Sequence, residues 1–146
     1  MEELLTHTAS RIALSASGIF FMTGLLTGVW KYLCMKQSEK TEAPPYVNTA
    51  HRAALMYAFA AQLLAVFAAT SAFSDTVNTI AVTFPLLFFG IAIFHYINLG
   101  LSTESNNSIR DSADRKKDYL ILNVLAVAEI GGFSVLLIGF SLRLWT

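Results

Sequence analysis

At 146 residues the chain has the length of one domain, yet 55% of it is apolar and only 14% is charged, against roughly 25% charged in soluble globular proteins. Formal net charge is zero, so no basic or acidic excess points to nucleic acid or to an acidic substrate. The composition excludes an ordinary soluble domain.

Four long uncharged runs account for it: Ile12 to Trp30, Ala53 to Phe73, Ile80 to Leu101 and Tyr119 to Leu142. Each matches the roughly 20 apolar residues that cross a hydrocarbon core as a helix. Lipid cannot satisfy backbone N–H and C=O groups, so spans of this length are helical. The expected fold is all-α: one polytopic membrane domain over residues 1–146, with four transmembrane helices in an antiparallel bundle. The acidic start, Met1-Glu2-Glu3, lacks a basic n-region, so the first run is expected to remain as a true span. Cys34 is the sole cysteine, which leaves no disulfide or cysteine metal cage within the chain.

The first span, about Arg11 to Cys34, carries Gly18, Gly24 and Gly28, small residues that let membrane helices approach closely. Trp30, Lys31 and Tyr32 close it as an interfacial anchor. A polar connection, Lys36 to Tyr46, holds Pro44-Pro45 and keeps the chain extended; Asn48 or Thr49 is the expected N-cap of the next helix. Spans two and three are joined by a tight turn expected at Ser74 to Asn78. Pro85 is expected to kink the third span. The last connection, Ser102 to Asp118, begins as a turn-rich loop, and its Arg110 to Asp118 part alternates charge like a short surface helix. With their flanks, the first and third connections hold Lys31, Lys36, Lys40, Arg52, Arg110, Arg115, Lys116 and Lys117, against Arg11 and Arg143 opposite. The positive-inside rule therefore puts those connections in the cytoplasm and both termini outside it.

Ionisable side chains inside spans are functional hypotheses by default. His51 and Arg52 stand at the cytoplasmic mouth of the second span. Tyr57, His95 and Tyr96 lie about two turns deeper, and Glu129 lies near the midplane. At 100° per residue His51, Leu55, Ala58 and Gln62 share one helix face, whereas Tyr57 points about 120° away. Ala50, Ala53 and Ala54 around His51 leave room for a flat bulky ligand; the plainer reading makes His51 and Arg52 interfacial residues reaching for headgroups. Glu129 reads either as functional or as hydrogen-bonded to a neighbouring helix. Two histidines and a carboxylate are in principle a non-heme iron or zinc set, but the depths of Glu129 and His51 differ by several turns. One axial histidine to a heme needs no such convergence.

The run Gly24-Leu25-Leu26-Thr27-Gly28, then Ala50-His51, then an aromatic-rich third span ending near Tyr96 and Asn98 resemble the small four-helix membrane proteins of the styrene oxide isomerase and hydroxylaminobenzene mutase type. The resemblance implies a homotrimer in a bacterial inner membrane. It also implies a heme b held by His51, with Arg52, Ala54 and Leu55 around the cofactor. Ferric iron would act as a Lewis acid on a small lipophilic oxygen-containing substrate drawn from membrane lipid, which Tyr96 helps to hold. Tyr57 stands where that family carries an asparagine, six residues after the histidine, and is the second candidate catalytic residue. Other readings are a non-catalytic or electron-transfer membrane subunit, in which His95 supplies a second axial ligand, and a relative of the membrane-associated eicosanoid and glutathione enzymes. That group has asparagine and glutamate where Ala54 and Tyr57 stand here.

Overall fold

The computed structural model describes residues 2–102 and 106–145, and over them it is helical throughout its regular structure. A short α1 (Glu2–Thr6) precedes α2 (Thr8–Gln37), α3 (Pro45–Ala69), α4 (Asp75–Ser102) and α5 (Arg115–Leu144). The last four are long and apolar enough to cross a membrane. Even the 25 residues of α3 reach about 38 Å at about 1.5 Å per residue, more than a hydrocarbon core of about 30 Å. The four alternate in direction. Residues 38–44 and 106–114 gather at one end, the basic end, where the Tyr46 hydroxyl meets Ser108, and the α3–α4 corner lies at the other.

Contact between α2 and α3 is the most extensive in the bundle, and the residue types explain it. Along α3 the buried positions Ala50, Ala54, Ala58, Ala61, Ala65 and Ala68 form a stripe of methyl groups. Facing them on α2 are Ala9, Ser10, Ala13, Gly24 and Thr27, all buried. Water exclusion does not drive helices together in lipid, so close van der Waals approach and cross-helix hydrogen bonds must do so, and small side chains permit both. The Ser10 hydroxyl donates to the Ala65 carbonyl at 2.9 Å and the Ser17 hydroxyl to the Ala58 carbonyl at 2.9 Å.

Element ends differ from the sequence expectation for identifiable reasons. Helix α3 starts at Pro45, not at Asn48 or Thr49. Proline at the first helical position lacks an N–H that would have no intrahelical partner, and its φ is already helical. Thr49 then sits one turn in, its hydroxyl donating to the Pro45 carbonyl at 2.9 Å. The turn expected at Ser74 to Asn78 lies earlier, because α3 ends at Ala69 and α4 begins at Asp75. Asn78, 2% exposed, donates through Nδ2 to the carbonyls of Ala68 and Phe73 at 3.3 and 3.1 Å, supplying a partner for a carbonyl at the α3 C-terminus. Asp75 reaches back to accept from the N–H groups of Thr8 and Ala9 at 3.2 and 3.4 Å. The corner's Ala72 N–H donates to the Gly139 carbonyl of α5 at 2.9 Å.

No separate surface helix forms between 106 and 114; residues 103–105 of the expected loop lie outside the described residues. Asp114 instead caps α5, its carboxylate accepting from the Lys117 N–H at 3.1 Å, so Arg115 to Asp118 open the fourth long helix. Pro85 sits inside a continuous α4, where its missing N–H deprives the Ala81 carbonyl of its usual partner. Gly132 of α5 packs against this point: a Cβ there would stand 2.5 Å from the Ala81 oxygen and 2.7 Å from Pro85 Cγ.

Candidate functional site

His51 is lodged against α2. Its Nδ1 lies 2.8 Å from the Gly24 carbonyl oxygen, and a carbonyl only accepts, so Nδ1 carries the proton. Gly28, one turn along α2, faces the same ring: a Cβ at that position would lie 2.9 Å from Cε1 and 3.2 Å from Nδ1. The motif Gly24-x-x-x-Gly28 is therefore the seat of the imidazole, one glycine giving a carbonyl and the other giving space. With Nδ1 protonated, the neutral ring presents a lone pair on Nε2, which forms no hydrogen bond among the described residues.

The neighbours of His51 are divided between two faces. Ala54 is fully buried. Leu55 packs on Gly24, where a Cβ would meet its Cδ2 at 2.6 Å. The space left by small residues around His51 is thus filled by α2 on that side. Gln62, sharing the His51 face by its spacing, is exposed. The buried stripe steps 54, 58, 61, 65 and 68, close to a repeat of 3.5, and passes Gln62 by.

Arg52 and Tyr57 belong to the other face of α3, and the structure brings them together with Tyr96. A cleft of about 260 Å³ is lined by Thr49, Arg52, Ala53, Met56, Tyr57 and Tyr96. Tyr57 stacks on Phe89 of α4, ring centres 4.2 Å apart and planes 11° from parallel. Tyr96 stacks on Tyr46 at 6.3 Å. The Tyr46 hydroxyl accepts from the Ser108 N–H at 2.6 Å and donates to the Ser108 hydroxyl at 3.0 Å. Sequence reasoning places Tyr46 at the end of a connection and misses its position behind Tyr96; an aromatic directly after Pro44-Pro45, at the first turn of a span, is the available signal. His51 and the Tyr57–Tyr96 pair thus stand on different faces of α3, as the 120° offset requires.

His95 is exposed, its ring 6.1 Å from that of Tyr96. Glu129 does not make the helix-to-helix hydrogen bond that is one expectation for it: Oε1 is buried with no partner. Among the described residues no three His, Cys, Asp or Glu side chains converge on a metal position, so His51 stands as a single donor. No family model, no curated protein and no solved structure matches the chain.

Proposed function

We propose that this chain is a heme b-binding integral membrane protein whose axial ligand is Nε2 of His51. The observation that carries the reading is the fixed tautomer. A metal-ligating histidine almost always donates its other ring N–H to a carbonyl or carboxylate, which orients the ring and raises the basicity of the ligating nitrogen. The Gly24 carbonyl does this for His51 at 2.8 Å. Arg52, next in the chain and without an ion pair among the described residues, suits a carboxylate of the cofactor. Bound ferric heme supplies a Lewis-acidic iron, useful to a small lipophilic oxygen-containing substrate that partitions from the bilayer.

In the isomerase-like form of this reading, Tyr57 and Tyr96 hold the substrate oxygen through their hydroxyls. Because α3 separates them from His51 within one chain, heme and phenols then act on one molecule only across a boundary between copies. This gives the expected homotrimer a chemical purpose. A second reading is favoured by the same separation: a heme-bearing electron-transfer subunit in which the phenols have no part and His95, exposed on α4, supplies the other axial ligand. In either reading the basic end is proposed to face the cytoplasm, a reading that the positive-inside rule supports.

The test is optical. Purified protein should show a Soret band that His51→Ala removes while helix content is retained. Colourless protein with intact helices after expression in heme-replete cells would defeat the heme reading. Cyanide or imidazole binding readily to the ferric form would support an open iron and the enzyme; a low-spin spectrum indifferent to both, becoming high-spin in His95→Ala, would support the electron-transfer subunit.

A further inference from the structure

The cleft on the Arg52 face of α3 carries chemistry that an axial histidine does not need. It holds about 260 Å³, below the roughly 300–1,000 Å³ of pockets that take a drug-sized ligand. A headgroup fits it; a whole amphiphile does not. Arg52 is exposed and makes no ion pair among the described residues, and a guanidinium offers five N–H donors and no acceptor. The hydroxyls of Tyr57 and Tyr96 form no hydrogen bond among the described residues. The Thr49 proton is already given to the Pro45 carbonyl at 2.9 Å. Among the described residues no acidic side chain lines the cleft.

Depth adds a second argument. Arg52 stands seven residues past the start of α3 and Tyr96 six before the end of α4. Each is therefore about 10 Å from the basic end, at about 1.5 Å per residue. In a bilayer that is where hydrocarbon gives way to headgroups, within reach of a snorkelling side chain. Beneath Arg52, Met56, Phe59, Leu63 and Val66 continue the same face of α3, all exposed. Tyr96 is stacked on Tyr46, which is itself fixed to Ser108, so its hydroxyl is held in place before any ligand arrives.

We propose that this cleft binds the phosphate of an anionic phospholipid, with Arg52 and the Tyr96 hydroxyl as donors and the acyl chains along the Met56–Phe59 face. A phosphate diester only accepts hydrogen bonds, and its oxygens match the fork of a guanidinium. A zwitterionic headgroup brings a cation as well, and the cleft has no carboxylate to receive it. Other cations of the basic end, such as Lys36 and Lys116, enrich anionic lipid around the site. The proposal goes beyond the heme reading and does not rest on it, because His51 is turned to α2.

Native mass spectrometry of the full chain, titrated with dioleoyl phosphatidylglycerol or dioleoyl phosphatidylcholine, tests this. The wild type should retain one phosphatidylglycerol per chain about five-fold more strongly than phosphatidylcholine. Arg52→Gln should abolish the preference and Tyr96→Phe should reduce it. Lys36→Gln, at the same end but outside the cleft, should leave it intact, as should His51→Ala. Excess inorganic phosphate should fail to displace the lipid. Equal retention of both lipids by folded wild-type protein would overturn the proposal. So would a preference that survives Arg52→Gln, is unmoved by Tyr96→Phe, falls in Lys36→Gln, disappears in His51→Ala or yields to inorganic phosphate.

Discussion

The two halves of the bundle are built on opposite rules. Helices α2 and α3 meet through glycine, alanine and serine, and their interface is stitched by hydroxyl and imidazole hydrogen bonds to backbone carbonyls. Helices α4 and α5 meet through larger side chains and leave between them a groove of about 670 Å³ lined by residues such as Ile80, Phe84, Val124 and Val127. Only Leu136 and Gly139 of α5 are buried. The loosely packed α4 and α5 are the more apolar pair, so apolar character does not decide which helices pack tightly in lipid. Side-chain size does, because association there depends on contact and not on escape from water.

Breaking the tight half at its ligand should have the largest consequence. His51→Ala is expected to abolish heme binding outright, read as Soret absorbance per protein, while circular dichroism remains helical. Gly28→Ala leaves the imidazole in place chemically but puts a Cβ 2.9 Å from Cε1; displacing the ring from its carbonyl should weaken heme affinity by about 10- to 100-fold. The same substitution at Gly24 meets Leu55 Cδ2 at 2.6 Å and its backbone N at 3.3 Å, and should cost about 1–3 kcal/mol by overpacking, measured by thermal unfolding in detergent. In the loose half Gly132→Ala is the exception, since the Ala81 carbonyl and the Pro85 ring leave no room, and a loss of similar size is expected. At Gly131, its neighbour, an added methyl group would meet nothing within 4 Å. Gly131→Ala should therefore be neutral or stabilise by about 0.5–1 kcal/mol through helix propensity. Ser17→Ala, which removes one cross-helix hydrogen bond, should have an effect of similar size and opposite sign, a cost of about 0.6 kcal/mol.

The spans were legible because twenty uncharged residues have few alternatives, and the alternation of helices follows from the short connections. Their ends were less so. Whether a helix begins at Pro45 or Asn48 depends on a balance between proline geometry and capping that hydropathy does not record. The corner at residues 70–74 depends on Asn78 reaching back to Ala68. Both halves of the candidate site were visible as motifs, Gly24-x-x-x-Gly28 and Ala50-His51, but not as partners. Their contact bridges 27 positions of sequence, and periodicity assigns a residue to a face without naming what that face meets. The separation of His51 from Tyr57 was legible, since the 100° step fixes it whatever the neighbours are. That Tyr96 joins Tyr57 required the packing of α4.

The buried positions of α5 lie in its C-terminal half. Its first turns, from Arg115 to Val124, are exposed except for Asp118, and full burial comes only at Leu136 and Gly139. That last glycine is also where the corner's Ala72 N–H is bonded. A rod held near one tip and lightly supported at the other behaves as a lever, with displacement growing with distance from the pivot. Hydrogen exchange along α5 should accordingly quicken from Gly139 towards Arg115. Glu129 sits partway along this arm, between the exposed first turns and the buried Leu136 and Gly139.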